Sequence, residues 1–155
     1  MGTGFDVHRL VKDRKLILGG VEIAHEMGLL GHSDADVLLH AICDAILSAS
    51  DLPDIGVLFP DNDDEFKGIS SAILLTRVIA LAQKNGYLLV NVSAVIMAQK
   101  PKLASFIPQI RISIANICKI PIENVNVSAT TTETLGIVGE EKGIASSATC
   151  LMRKS

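Results

Sequence analysis

Residues 28–50 read GLLGHSDADVLLHAICDAILSAS. Gly28 to Asp34 reads as a loop, being glycine-rich and ending in small polar residues. From about Ala35 to Ser50 the spacing turns helical, with Leu38, Ile42, Ala45 and Ala49 on one apolar face. Ser33 followed by Asp36 resembles a capping box, with Asp in place of the usual Glu, and predicts where this helix begins. His40 and Asp44 lie four residues apart on a different face. The helix therefore carries an imidazole beside its hydrophobic seam.

Outward from this helix the chain alternates between period-two and helical patterns, which reads as α/β or α+β organisation in one domain. Phe5 to Leu10 reads as a short strand. Lys15 to Ala24 reads as a hairpin of two apolar strands around Gly19-Gly20. Asp51 to Gly68 is a second loop, marked by Pro53, Gly56, Pro60 and an acidic cluster. Ser70 to Lys84 is a helix with Leu74, Val78 and Leu81 on one face, closed by Asn85-Gly86. Tyr87 to Ala98 is a long strand. Ser105 to Cys118 is a third helix, with Pro108 in its first turn, where a missing N–H costs nothing. Val125 to Ala129 is a strand, Thr130 to Gly143 a polar loop, and Ile144 to Met152 a final strand.

The 155 residues are 48% hydrophobic but only 3% aromatic, with net charge −3. Mean hydropathy is +0.41. So much aliphatic surface on a small domain predicts burial against copies of itself. No basic stripe stands out, which argues against nucleic acid as a partner. No apolar run reaches the roughly 18–20 residues that a bilayer span needs, so no membrane is expected. The opening MGTGFDVHRL lacks the shape of a signal peptide. Cys43, Cys118 and Cys150 are odd in number and scattered, with no C-x-x-C pair, which fits reduced thiols in a cytoplasmic compartment.

Five segments carry chemistry. In Asp6-Val7-His8, residues two apart on a strand share a face. Asp6 and His8 then point one way, and Phe5 and Val7 point the other way into apolar surroundings. Alone, the pair reads first as an ion pair or hydrogen bond, and only second as two legs of a metal tripod. His40 alone reads as a core histidine. As a third ligand, with Asp44 or Asp36 behind its other ring nitrogen, it would complete an Asp/His/His set that leaves one coordination position open, the arrangement of catalytic zinc. Asp54-Ile55-Gly56 with Phe59 to Asp64 is either a solvated acidic loop or a lid whose carboxylates and backbone hold sugar or polyol hydroxyls. Ala98-Gln99-Lys100-Pro101-Lys102 is either a strand-to-helix turn or a rigid seat for a base, with lysines for phosphates. Ala129-Thr130-Thr131-Thr132-Glu133 is either a Thr-capped turn or a phosphate site. Its hydroxyls and single carboxylate suit a phosphate with bound Mg²⁺.

Together, GFDVH, GGV, GLLGHSDADVLLHAICDA, DIGVLFPDND, FKG, AQKPK, IPQ, NVNVSATTTE and GIA, in this order over essentially the whole chain, closely resemble the 2-C-methyl-D-erythritol 2,4-cyclodiphosphate synthase family. The resemblance implies a single domain over 1–155 of α/β (α+β) class. Its mixed β-sheet would be covered by helices on one face and assembled as a homotrimer with sites between subunits. It implies Zn²⁺ on Asp6, His8 and His40, with Mn²⁺ or Co²⁺ also accepted by such donors. It implies Mg²⁺ on Glu133 with the substrate phosphates. His32 and Thr131 would stabilise the transition state. Ser33, Asp54, Gly56, Phe59, Asp61, Asp63, Thr130 and Thr132 would contact substrate. Ala98, Gln99, Lys100, Pro101, Lys102, Leu103 and Ala104 would hold the cytidine and diphosphate. The implied reaction is an intramolecular phosphoryl transfer on 4-diphosphocytidyl-2-C-methyl-D-erythritol 2-phosphate, releasing CMP. Competing readings are a metal-dependent phosphohydrolase and a trimeric nucleotide-binding protein without catalysis. The sequence departs from the family in LGIVGEEKG. Ile137 and Glu140 there stand where many members have an aromatic residue and an arginine, near a central channel proposed to take isoprenoid diphosphates. Glu140 disfavours a diphosphate at that place.

Overall fold

The computed structural model describes residues 1–155. Its strands are β1 (Gly2–Lys12), β2 (Leu16–Leu18), β3 (Val21–Ile23), β4 (Met27–Leu29), β5 (Tyr87–Met97), β6 (Val125–Thr130) and β7 (Gly143–Lys154). Its helices are α1 (Val37–Ala49), α2 (Ile55–Leu58), α3 (Ser71–Lys84), α4 (Ile107–Cys118) and α5 (Gly136–Gly139). A five-stranded sheet runs β4-β1-β7-β5-β6, and β2-β3 stands apart as a hairpin. The sheet is mixed: β5 and β6 pair in parallel and every other pair is antiparallel. The parallel pair requires a crossover, which α4 supplies.

Helix α1 lies across β1 and β7, α4 against β6, and α3 against both helices. Contact between α1 and β1 is close because the strand places glycines there. A Cβ on Gly2 would stand 2.1 Å from the Ala45 carbonyl oxygen, and one on Gly4 2.1 Å from that of Ala41. Backbone therefore packs on backbone, and α1 is buried on nearly every side, Leu39, Cys43, Ile46 and Leu47 included. A helix apolar all round is a buried one, so the single apolar face read from the sequence understates its burial.

Two expectations change here. Helices cover one face of the sheet only, so Phe5 and Val7, expected in apolar surroundings, are 61% and 44% exposed. The cap of α1 is Asp36, not Ser33. The Asp36 carboxylate accepts from Leu39 N at 3.1 Å, Gly19 N at 2.9 Å and Gly20 N at 2.7 Å, tying the hairpin turn to the helix start. Gly19 and Gly20 sit at φ +62° and +77°, as a two-residue turn of this type demands. Ser33 Oγ instead accepts from Ala35 N. The two long loops each contain a short helix, α2 and α5, and β1 and β7 outrun their apolar patterns because mutual pairing satisfies their backbones regardless of side chain. No helix is long and apolar enough to cross a membrane.

Candidate functional site

Strand β1 and helix α1 meet at Asp6, His8 and His40. Asp6 Oδ2 lies 2.9 Å from His8 Nε2 and 3.1 Å from His40 Nδ1, and the two ring nitrogens are 3.1 Å apart. These three side chains form a group able to hold a metal ion. The separations are near the roughly 3.3 Å edge of a tetrahedron drawn with zinc bonds of about 2.0–2.1 Å, so the donor set fits such an ion. His8 Nδ1–H donates to the Leu30 carbonyl at 2.9 Å. A carbonyl can only accept, so in the neutral ring Nε2 carries the lone pair, free for an ion at the cluster; with no ion there, a proton on Nε2 is donated to Asp6.

The electrostatics agree. Burial pushes the Asp6 carboxyl up, but hydrogen bonds from His40 and His8 and their charges outweigh it and hold Asp6 well below the usual carboxylate range. Burial pulls His8 down, yet its hydrogen bond to Asp6, the Asp6 charge and the Leu30 carbonyl raise it above its ordinary value. Asp36 and Asp44, expected behind His40, are occupied elsewhere: Asp36 at its three backbone donors, and Asp44 as acceptor from Ile55 N at 2.9 Å. The groups behind His40 are Ser71 and Ser33, at 2.9 and 3.2 Å from Nε2.

A cavity of about 350 Å³ opens over the cluster and reaches His32, Ser33, Gly56, Phe59 and Asp61. Two expected members, Asp54 and Asp63, do not line it. Their carboxylates cap the short turns, accepting from Val57 N at 3.0 Å and from Glu65 N at 2.9 Å. Residues 63–69 are stitched to the His32–Asp34 loop. His32 Nε2–H donates to the Asp63 carbonyl at 2.9 Å, Gly68 N to the His32 carbonyl at 2.7 Å, and Asp34 N to the Ile69 carbonyl at 3.0 Å. Arg14 adds a bond to the Ser33 carbonyl at 3.0 Å.

A second cavity, about 470 Å³, lies at the end of β5 and β6. It is lined by Ala98, Gln99, Pro101, Lys102, Leu103 and Ala104 together with Thr130 and Thr131. The structure thus joins two segments that the sequence treats separately. Lys100 is not among the lining residues and pairs with Glu141 at 3.1 Å. Thr132 and Glu133 stand outside the lining too: Thr132 Oγ1 donates to the Leu135 carbonyl at 2.7 Å, and Glu133 N donates to Thr131 Oγ1 at 3.3 Å. Gln99 Oε1 accepts from Thr134 N at 3.2 Å, so the 98–104 segment holds the threonine turn. Glu140 pairs with Lys142.

The two cavities share no residue. Asp6 is paired with Ser146, Ser146 with Ile96, and Ile96 with Ala129. The metal cluster and the threonine turn therefore sit on one row of the sheet, three strand spacings or roughly 14 Å apart. Sequence reasoning missed Ser71, Asp34 and Arg14. Ser71 follows Ser70 at a helix start, where a serine reads as a cap, and nothing in its spacing links it to His40.

The arrangement is that of an α+β protein with an Asp/His/His metal-type cluster and a separate pocket beside it. The chain belongs to the YgbB family, whose model matches residues 1–153. It is 56% identical over 154 residues, 99% of this chain and 98% of the other, to the 2-C-methyl-D-erythritol 2,4-cyclodiphosphate synthase of Clostridium botulinum (strain Alaska E43 / Type E3). Among solved structures it superposes on the bifunctional IspDF from Campylobacter jejuni with TM-score 0.96 and 42% identity. That match covers 99% of this chain but only 42% of the bifunctional one. It also superposes on the CDP complex of IspF from Plasmodium falciparum with TM-score 0.86 and 35% identity, covering 99% and 95% of the two chains.

Proposed function

We propose that this protein converts 4-diphosphocytidyl-2-C-methyl-D-erythritol 2-phosphate to 2-C-methyl-D-erythritol 2,4-cyclodiphosphate with release of CMP, a phosphorus–oxygen lyase reaction of isoprenoid-precursor synthesis. The observation that carries this reading is an Asp/His/His cluster and a base-sized pocket from residues 98–104 on one sheet, in a chain whose full-length relative bears the synthase name.

The 2-phosphate oxygen attacks the β-phosphorus, the bond from that phosphorus to the α-phosphate oxygen breaks, and CMP leaves. Both reacting groups belong to one molecule, so the protein needs no nucleophile of its own. Holding the substrate folded supplies up to roughly 7–11 kcal/mol of the barrier. Residues 98–104 seat the cytidine and Lys102 meets the diphosphate, while Ser33, Gly56, Phe59 and Asp61 hold the methylerythritol end. Thr131 donates to the oxygens on which charge develops, and His32, anchored through Nε2–H on the Asp63 carbonyl, turns Nδ1 toward them to donate when that nitrogen also carries a proton. Asp6, His8 and His40 are the residues that would hold Zn²⁺, or Mn²⁺ or Co²⁺, and Glu133 the Mg²⁺ bound with the diphosphate. These ions supply charge neutralisation that lets two anionic phosphates approach.

The reading includes a homotrimer with each site shared between subunits. Two features support it. The two cavities of one chain share no lining residue, and the row from Asp6 to Ala129 spans roughly 14 Å, which leaves each open to completion by a neighbour. The uncovered sheet face leaves Phe5, Val7 and Leu151 exposed, and Leu135 and Ile137 near it are 72% and 62% exposed. The cytoplasm is the proposed compartment, consistent with three free, buried cysteines.

Incubation with the diphosphocytidyl substrate, Mg²⁺ and trace Zn²⁺, followed by chromatography, tests the reaction. CMP and a cyclic diphosphate in equal amounts are expected. Inorganic phosphate in their place would move the protein to the hydrolases.

A further inference from the structure

His40 is held from behind by groups outside the metal cluster. Its Nδ1 faces Asp6 and His8, and its Nε2 lies 2.9 Å from Ser71 Oγ. Ser71 is fully buried. It opens α3, but Ser70 caps that helix, so the Ser71 hydroxyl has no capping duty. Its proton goes to Asp34: the Asp34 carboxylate receives Ser71 O–H, Ser71 N–H at 3.1 Å and Asp36 N–H at 3.2 Å. A hydroxyl has one proton to give. With that proton on Asp34, Ser71 Oγ meets His40 only as an acceptor. The neutral His40 ring then carries its proton on Nε2, which leaves the Nδ1 lone pair for an ion at the cluster. Ser33 Oγ, 3.2 Å from the same nitrogen, accepts from Ala35 N–H and lies 3.5 Å from Ser71 Oγ, which can take its proton.

We propose that Ser71, oriented by Asp34, is a positioning residue for the metal centre: it fixes the His40 tautomer that presents Nδ1 to the ion, and so sets how tightly the ion is held. The inference rests on the metal reading above. His8 reaches the same end through the Leu30 carbonyl, which substitution cannot remove. His40 depends on a side chain, and substitution can remove that. The relay also touches the lid side of the site, because Asp34 N donates to the Ile69 carbonyl.

Chelator competition for Zn²⁺ with the intact protein and its S71A variant tests this. The expected result is zinc affinity weakened by roughly 10–100-fold in a variant whose metal-free circular-dichroism spectrum matches the parent's. An S71A dissociation constant within twofold of the parent's overturns the proposal. A second measurement needs no variant. Long-range ¹⁵N–¹H correlation on the metal-free, histidine-labelled parent protein is expected to show His40 protonated at Nε2. A proton on Nδ1 alone, directed at Asp6, overturns the relay even if S71A fails to fold. If the parent retains no zinc, the metal reading falls and this inference with it. If the parent binds zinc and S71A binds it equally, only the relay falls.

Discussion

The metal end and the threonine end of the sheet are built differently. At the metal end each donor is held by another group: His8 by the Leu30 carbonyl, His40 by Ser71, and Asp6 by the Val7 N–H. That end rests on β1 and α1, which meet through glycine at backbone contact. At the other end the lining residues come from turns after β5 and β6, and Thr130, Thr131 and Glu133 are exposed. The first end is set before anything binds; the second is a cavity open to whatever faces it. An ion demands fixed donors at short range, whereas an open cavity leaves room for a larger group to complete its wall.

The sharpest break in this comparison is His8→Ala. Loss of one donor is expected to abolish zinc retention and cut turnover by at least roughly 10²–10³-fold, leaving the assembly folded. Near-normal zinc occupancy by metal analysis would remove His8 from the ligand set. Asp36→Ala attacks the scaffold instead. Three backbone donors lose their acceptor, so unfolding stability is expected to fall by about 3 kcal/mol, read from urea denaturation of the metal-free protein. A loss below about 1 kcal/mol would show that the hairpin and helix hold together without it.

Lys102→Ala probes the open end. Loss of one charge-assisted bond is expected to weaken CDP binding about tenfold in calorimetry while zinc affinity stays constant; a parallel fall in both would mean the ends are not separate. Glu133→Gln is expected to keep zinc and to shift the Mg²⁺ titration of activity to higher concentration, and an unmoved titration would reject that role.

The smallest effect is in pH. Burial, against its three backbone donors, pushes Asp36 up to about 6 from 3.8. Between those values the folded state binds more protons than the unfolded one, so this group's contribution to stability falls as pH rises. Asp6, held low, acts oppositely: its contribution is present above 3.8 and lost as pH falls below it. Denaturation midpoints of the metal-free protein between pH 4 and 6 are expected to slope more steeply downward with pH than those of Asp36→Asn. Identical slopes would place the Asp36 titration outside that window.

Much of the metal end was legible because it is written in short-range periodicity. Period two puts Asp6 with His8, and helical spacing takes His40 off the apolar face. The Gly19-Gly20 turn and the caps at Ser70 and Asn85-Gly86 are equally local. What lay behind the ligands was illegible. Ser71 reaches His40 across 31 residues, and Asp44, which lines the same cavity as His40, gives one carboxylate oxygen to Ile55 N rather than to the imidazole. Phe5 and Val7 were misplaced because alternation shows that two faces differ, without showing that one faces solvent or another copy. Asp54 and Asp63 have the chemistry of substrate contacts, and the sequence did not show that one oxygen of each carboxylate caps a short turn.

Subunit complementation is the most direct test of a site shared between chains. His8→Ala lacks the metal half and K102A/T131A lacks the nucleotide half, so each alone is expected to be nearly inactive. Unfolding and refolding the two together, then measuring CMP release, is expected to restore roughly a quarter of the parent activity, the statistical share of sites that draw one intact half from each variant in a closed ring. Activity no greater than the sum of the separate variants would contradict the account and place both halves of each site on one chain.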